Sequence, residues 1–278
     1  MERVSEPRAD AAPVTSEAEE PLAGLLSEGE RGVMARVLAE ESQKREHVVV
    51  YLSGAHAYGF PSPDSDLDLK AIHVCDTAEL LGFELPATTV DRAEVLDGVE
   101  IDYTSNELGH VLAGILQGNG NFLERVLGRT VCYASPLLAE LRPLAERSLS
   151  RRAHRHYRGF AQNQLRALAH GASVKKLLYV LRTALTGVHL LETGALEASL
   201  PRLLPVYGLE EAAELVEQKR AGERVSLEPQ ELEAWRARVD AALARLDAAA
   251  EKSPLPAEPP NEAEVRAWLL SVRKARFR

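Results

Sequence analysis

Two aspartates stand two residues apart in a segment that otherwise has the composition of a buried strand. In an extended strand, residues i and i+2 share a face, so Asp66 and Asp68 would project together, with Cα atoms about 6.6 Å apart. Leu67 and Leu69 would then point into the core. Neighbouring carboxylates repel in a low-dielectric place unless a cation lies between them. Hard divalent ions such as Mg²⁺ prefer these oxygen ligands, so the spacing indicates a metal site.

The acidic triplet at Asp64, Asp66 and Asp68 has two other interpretations. It could be a surface turn in which Asp64 and Asp66 accept hydrogen bonds from backbone amides, which is the commoner outcome for a triplet taken alone. It also matches the first three ligand positions of a calcium-binding loop. That loop requires Gly and Glu where this chain has Leu69 and Cys75, so a calcium loop is not expected.

Two further features favour a site for phosphate chemistry. Gly54 follows the apolar, β-branched strand predicted for residues 47–53, and a glycine there lets the backbone approach a ligand closely. The backbone amides that follow it would be available to phosphate. Asp102 lies between Ile101 and Tyr103, on the polar side of an alternating strand. A third carboxylate on a neighbouring strand would complete a cage for two divalent ions about 3.5–4 Å apart.

The combined pattern resembles the nucleotidyltransferase superfamily typified by DNA polymerase β. Residues 53–72, SGAHAYGFPSPDSDLDLKAI, are most similar to the predicted nucleotidyltransferases of the RNA repair pathway DNA polymerase beta family, and GNGNFLERV and VKKLLYVLRTAL extend the resemblance over residues 47–192. The resemblance implies an enzyme that transfers an NMP from an NTP, with ATP as the expected donor. It also implies that Asp66, Asp68 and Asp102 are catalytic and hold two Mg²⁺ or Mn²⁺ ions.

The glycine loop departs from the family pattern at one position. The family usually has Ser after the glycine, where this chain has Ala55, and the loss of one neutral hydrogen bond would weaken phosphate binding by about 0.5–1.5 kcal/mol. Ser53 is adjacent, but it would point elsewhere if the strand continued through it. For Tyr58 we favour packing of the loop over contact with substrate. The expected nucleotide-binding residues of the loop are Ser53, Gly54, Ala55, His56 and Tyr58.

Basic residues are concentrated in the second half of an acidic chain. The formal net charge is −9, yet residues 147–191 hold nine Lys or Arg and no acid. Lys175, Tyr179 and Arg182 share one helical face and are predicted to bind the nucleotide, although a solvated basic stripe would have the same pattern. A second basic cluster, interleaved with His and Tyr, is predicted to contact nucleic acid: Arg151, Arg152, Arg155 and Arg158.

The order of elements predicts an α+β protein. A small mixed β-sheet with helices would form a nucleotidyltransferase catalytic domain at 25–140, after a disordered acidic tail at 1–24. Residues 141–278 would form an all-helical domain that binds substrate or nucleotide, with a Pro-rich linker at 252–261. Strands are predicted at 47–53, 66–74, 87–91, 99–104 and 130–134; helix starts are predicted at Ser105 and Asn121, the latter with Glu124 as capping partner.

Composition excludes several classes of protein. The two cysteines have no metal-binding spacing and indicate no disulfide framework. No signal-peptide pattern and no run of about 18 apolar residues occurs, so we expect a cytoplasmic protein without a membrane partner. The expected partners are an NTP and an RNA end as acceptor, with the oligomeric state undetermined. Two alternatives stay open: an enzyme that transfers an NMP to a protein, and a catalytically weak, antitoxin-like nucleotide-binding regulator.

Overall fold

A computed structural model describes residues 22–222 and 225–277. The tail predicted for 1–24 therefore lies outside the described residues except at Leu22–Gly24, which form a short 3-10 helix.

The first long helix, α1 (Glu28–Lys44), begins with a capping box. Its Ser27 hydroxyl accepts a hydrogen bond from the Glu30 amide, and the Glu30 carboxylate accepts one from the Ser27 amide.

Five strands form one mixed sheet in the order β3-β4-β2-β1-β5. Strands β2 and β4 are parallel, and every other pair is antiparallel. The β-branched run of β1 is buried on both faces, as expected for a strand near the centre of the sheet. The strands are β1 (Glu46–Leu52), β2 (Leu67–Val74), β3 (Thr89–Leu96), β4 (Val99–Glu107) and β5 (Val131–Ala134).

Helices occupy most of the remaining described chain. None of them, within residues 22–222 and 225–277, is long and apolar enough to cross a membrane. After α1 they are α2 (Gly54–Tyr58), α3 (Leu108–Leu116), α4 (Gly120–Leu127), α5 (Pro136–Arg147), α6 (Ala153–Ala169), α7 (Val174–Thr193), α8 (Leu200–Leu203), α9 (Ala212–Ala221), α10 (Pro229–Lys252) and α11 (Glu262–Lys274). The predicted α+β architecture with a helical C-terminal region is confirmed.

One apolar core joins the sheet to the helices that follow it. Val49 of β1 and Ile72 of β2 belong to the same buried cluster as Val188 of α7, Leu246 of α10 and Val265 of α11. The helical half is therefore packed onto the sheet through a continuous apolar core. This packing fixes α6 and α7 relative to the strands that carry the aspartates.

Several predicted boundaries differ from the structure. Strand β4 continues through Ser105, which was predicted to cap a helix, because the Ser105 hydroxyl instead lies 2.7 Å from Nδ1 of His73 on β2. The helix starts at Leu108, with Glu107 as its cap. Strand β3 is longer than the predicted 87–91. The cap of α4 is Asn119, whose side chain accepts a hydrogen bond from the Asn121 amide.

The shared core predicts that a cavity in α7 destabilises the sheet as well. Leu190 is fully buried, so Leu190→Ala should lower the free energy of unfolding by about 2–5 kcal/mol. Hydrogen exchange should accelerate at the amides of both β1 and α7. Leu270→Ala is the control, because that side chain is 58% exposed and should cost little. Faster exchange confined to the helices would contradict a common core.

Candidate functional site

Two of the predicted aspartates lie side by side on the parallel strands. Asp68 of β2 is in register with Asp102 of β4, and neighbouring strands run about 4.8 Å apart. The parallel pairing therefore places both carboxylates on the same face of the sheet. Asp102 is half exposed, whereas only a quarter of the Asp68 side chain is exposed.

Gly54 lies directly against the Asp68 carboxylate. Its φ is +64°, a left-handed conformation that favours glycine. A Cβ at this position would overlap Asp68 Oδ2 and lie 2.7 Å from Asp68 Cγ. The Ser53 amide also donates a hydrogen bond of 2.8 Å to the Asp68 carbonyl oxygen. The glycine loop and the aspartate strand are thus in direct contact, as the sequence predicted.

A lysine stands between the two carboxylates. Lys70 follows Asp68 by two residues on β2, and its ammonium Nζ lies 2.8 Å from Asp102 Oδ2 and 3.5 Å from Asp68 Oδ1. It also donates to the Asp102 carbonyl oxygen at 3.2 Å, with Thr104 Oγ1 at 3.5 Å. The position between the aspartates therefore attracts positive charge.

Asp66 immediately precedes β2 and is exposed. Burial raises the pKa of the Asp68 carboxyl above its ordinary value; the Lys70 ammonium opposes this rise, and the charges of Asp102 and Asp66 add to it. Asp66 is thus near enough to act on Asp68 electrostatically. Within 22–222 and 225–277, however, no three Asp, Glu, His or Cys side chains are arranged as a ready metal cluster.

The aspartates open onto a cleft between the sheet and the helical half. Its deep part, which we name the inner cavity, has a volume of about 220 Å³; a wider outer cavity of about 1050 Å³ lies beside it. Gln164 and Tyr179 line both, so the two cavities adjoin. The inner cavity is lined by Ser53, Gly54, Tyr58, Asp68, Lys70, Asp102, Asn121, Glu124, Arg125, Phe160, Gln164, Tyr179 and Arg182. Asp66 and Lys175 line the outer cavity.

The residues of the glycine loop divide between the cleft and the core. Strand β1 ends at Leu52, so Ser53 is released from the strand and lines the inner cavity. Ala55 and His56 are buried. His56 Nε2 lies 3.0 Å from Glu30 Oε1 and so connects the loop to α1. This histidine lines a different cavity of about 780 Å³ together with Glu30.

Tyr58 and Arg182 belong to a buried polar network. The Arg182 guanidinium donates to Glu124 Oε1 at 2.7 Å, and its carbon lies 3.8 Å from the centroid of the Tyr58 ring. The Tyr58 hydroxyl donates to Glu124 Oε2 at 3.3 Å. Burial raises the pKa of Tyr58 to about 12, so its hydroxyl stays protonated near neutral pH. The interpretation of Tyr58 as a packing residue agrees with this geometry.

The three residues predicted on the basic face of α7 lie at different depths in the cleft. Lys175 is half-buried at the outer cavity, and Tyr179 stands where the two cavities meet, with edge contacts to Tyr58 and Phe60 at ring-centroid distances of 5.7 and 5.5 Å. Arg182 lies deeper, at the floor of the inner cavity. The three residues therefore follow the cleft from its mouth to its base.

The basic cluster at the start of α6 is turned away from the cleft. Phe160 and Gln164 carry the cleft face of this helix, and Arg155 and Arg158 lie about 140–160° around the axis from Phe160. Arg158 Nε donates to both carboxylate oxygens of Asp247, at 2.9 and 3.1 Å.

The other two arginines of that cluster lie just before α6. Arg152 pairs with Glu258 and also donates to the Leu116 carbonyl oxygen at 2.9 Å. Arg151 is exposed, as is Arg155 within α6. The proposed nucleic-acid contacts thus consist of two exposed arginines and two that are held in ion pairs.

Several residues of the cleft were missed by sequence reasoning. Lys70 had a usable signal, because it stands two residues after Asp68 on a strand. Phe160 and Gln164 are four residues apart on one helix face. Glu124 was predicted as a capping partner of Asn121 and instead pairs with Arg182, which local sequence could not indicate because the two are 58 positions apart. Arg125, whose pKa burial lowers to about 10, donates to the Ala71 carbonyl oxygen at 3.1 Å from the wall of the inner cavity.

Comparison with known proteins gives three findings. A family model described as RNA repair pathway DNA polymerase beta family matches residues 31–271. An uncharacterized protein of Methanocaldococcus jannaschii is 32% identical over 152 residues, which is 53% of this chain and 61% of that relative's length. The crystal structure of a nucleotidyltransferase-like protein from Exiguobacterium sibiricum is similar with 13% identity and a TM-score of 0.33, over 89% of this chain and 81% of the other.

The contact between Gly54 and Asp68 predicts a large effect of a single methyl group. Gly54→Ala should destabilise the protein through its positive φ, by about 1–2 kcal/mol, and by a further amount of about 1–3 kcal/mol through overlap with Asp68. Gly98→Ala is a matched control, because Gly98 has a φ of +83° and nothing within 4 Å of a Cβ. Chemical denaturation would measure both, and equal losses would contradict the close approach.

The buried ion pair predicts a second effect on stability. Glu124→Gln leaves the Arg182 charge without its carboxylate at 3–4% side-chain exposure, and should cost about 3 kcal/mol of the free energy of unfolding. Glu262→Gln breaks an exposed pair with Arg266 and should cost less than about 1 kcal/mol. If the two variants unfolded at the same denaturant concentration, the pair would not hold the loop against α7.

Proposed function

Because the chain belongs to the RNA repair pathway DNA polymerase beta family, we propose that it is a metal-dependent nucleotidyltransferase that moves an NMP from an NTP to an acceptor hydroxyl. The observation that carries this proposal is the register of Asp68 with Asp102 against Gly54. Paired acidic oxygens beside a backbone that a ligand can approach closely are what phosphate chemistry with divalent ions requires.

The donor set fits a divalent cation such as Mg²⁺ or Mn²⁺. Asp68 and Asp102 offer adjacent carboxylate oxygens, Asp66 offers another at the outer cavity, and the Lys70 ammonium between the first two supports a preference for positive charge there. We propose these three aspartates as the ligands. Bound divalent ions would neutralise phosphate charge and lower the pKa of the attacking hydroxyl.

The residues of this chain would act by binding and orientation. The triphosphate would lie in the inner cavity, near Ser53 and the backbone after Gly54, with Lys175 facing it from the outer cavity. The Ser53 hydroxyl is placed to replace the contact that Ala55 cannot make. Arg182, engaged by Glu124, would support Tyr58 and the floor of the cavity. Phe160 and Tyr179 would contact the base.

The proposed reaction is an in-line displacement at the α-phosphorus of the NTP. A bond forms between the acceptor oxygen and that phosphorus, the bond to the β-phosphate oxygen breaks, and pyrophosphate leaves. The hydroxyl proton passes to solvent in the wide outer cavity. Catalysis of this kind depends on positioning and electrostatic stabilisation, since the protein forms no bond to the substrate.

We propose an RNA end as the acceptor. Support comes from the family description and from the exposed Arg151 and Arg155 beside the cleft-bearing helix α6. If RNA binds there, it must reach over the outer face of α6, because Arg155 lies away from the cavity side of that helix. Binding to RNA should weaken steeply as salt concentration rises.

The function is tested by labelling with α-³²P-NTPs in the presence of Mg²⁺ and RNA. Wild-type protein should transfer label to RNA, and Asp68→Asn should remove transfer because it deletes a charge beside Asp102. Asp97→Asn is the control: Asp97 is exposed in the turn between β3 and β4 at a φ of +49°, which Asn tolerates equally well. Full activity in Asp68→Asn protein with intact circular dichroism would refute the assignment.

The same experiment separates the rival functions. Label that appears on polypeptide and not on RNA would indicate an enzyme that modifies proteins. Binding of NTP in calorimetry, without transfer to either acceptor, would indicate a regulator. The cleft also predicts that both rivals would lose nucleotide binding on Tyr179→Ala, so this variant reports on the nucleotide site independently of the acceptor.

A further inference from the structure

Lys70 occupies the position where a cation shared by Asp68 and Asp102 would bind. Its ammonium contacts Asp102 Oδ2 at 2.8 Å and Asp68 Oδ1 at 3.5 Å. The register of the sheet places Lys70 beside both aspartates. Lys70 is two residues from Asp68 on β2, and it is paired with Thr104, which is two residues beyond Asp102 on β4. The side chain is mostly buried, with 17% of its surface exposed.

An ammonium and a divalent ion cannot hold this position together. Mg²⁺ binds carboxylate oxygens at about 2.0–2.1 Å, so an ion shared by both aspartates would fill the space that Nζ now takes. The two positive charges would also repel at that separation. Lysine can resolve the conflict, because its ammonium sits on a flexible four-carbon stem. Lys70 also lines the inner cavity, into which it can turn.

We propose that Lys70 is an intrinsic competitor of the divalent ion: it neutralises the aspartate pair in the metal-free protein and must leave the pair when the ion binds. This inference rests on the proposed function, since it assumes the aspartates as metal ligands. The consequence is a site with low affinity for the metal alone. An NTP brings phosphates that can accept the displaced ammonium, so metal and nucleotide bind more tightly together than separately.

A purely structural role for Lys70 predicts the opposite effect on metal binding. If the lysine only held the aspartates in position, its removal would disorder the ligands and weaken binding of a divalent ion. If it competes, its removal leaves two unneutralised carboxylates and strengthens binding. The sign of the change in metal affinity therefore distinguishes the two roles.

The test is a titration with Mn²⁺ alone, followed by electron paramagnetic resonance of the free ion. Lys70→Met should bind Mn²⁺ at least tenfold more tightly than wild type, a change of about 1.4 kcal/mol. Lys70→Arg keeps the charge and should remain weak. Lys252→Met, at an exposed lysine near the end of α10, should match wild type. Unchanged or weaker binding by Lys70→Met would overturn the proposal.

Thermal denaturation of the same proteins gives a second readout. Without metal, Lys70→Met should melt at a lower temperature than wild type, because its carboxylates repel without a counter-charge. Saturating Mn²⁺ should raise its melting temperature more than that of wild type. An equal rise in both proteins would overturn the proposal, even if transfer activity were intact. Failure of every variant to bind Mn²⁺ would instead overturn the metal site and the proposed function with it.

Wild-type protein offers a measurement that does not depend on a variant. Acetylation of lysines by an amine-reactive reagent, mapped by mass spectrometry, should be slow at Lys70 without metal and faster with saturating Mg²⁺ in the absence of nucleotide, whose phosphates would otherwise shield the displaced ammonium. Lys252 should react equally in both conditions. A Lys70 that is equally protected in both would show that the ammonium stays between the aspartates, and would overturn the proposal.

Discussion

The repulsion between Asp68 and Asp102 is the constraint around which the rest of the site is built. Parallel pairing of β2 and β4 holds the two residues in register, and burial makes the charge of Asp68 costly. Parallel neighbours require a crossover, which here passes through β3 on the outer edge of the sheet. The topology therefore imposes a juxtaposition that side chains alone would avoid. The Lys70 ammonium, which lies between the two carboxylates, offsets this repulsion.

A second charged network keeps the surroundings of this pair rigid. Glu124 of α4, Arg182 of α7 and Tyr58 of the glycine loop come from three separate parts of the chain and contact one another in the core, where Glu124 accepts hydrogen bonds from both partners. Because partners in a buried network are costly to separate, the loop cannot move independently of the helical half. The network therefore keeps Gly54 against Asp68, and it also fixes the part of the cleft wall that α4 and α7 form.

The sequence predicted the side-chain positions that follow from the period of a strand or helix. It did not predict contacts between residues that are far apart in the sequence. Alternation along β4 identified Asp102, and the glycine after β1 identified the loop that touches Asp68. The same period of two places Lys70 beside Asp68, although only the coordinates show its ammonium between two strands. Helical spacing grouped Arg182 with Lys175 correctly, but spacing contains no information on depth. Ser105 was predicted to cap a helix because serine is a common cap. Its contact with His73 crosses between strands, so the local sequence gives no sign of it.

Charge counted along a segment is likewise a poor guide to charge on a surface. Residues 147–191 contain no acid, yet Arg152 and Arg158 are neutralised by Glu258 and Asp247, which come from the acid-bearing segments that pack against α6. The cations that line the cleft near the aspartates are placed at different depths: Lys70, Arg125 and Arg182 at the inner cavity, and Lys175 and Lys176 at the outer cavity. Cations confined to one cleft favour the proposed triphosphate substrate, whose charges lie close together. A long basic face would instead suit the extended backbone of a nucleic acid. The charge distribution of the cleft therefore supports the proposed nucleotide more strongly than the proposed RNA acceptor.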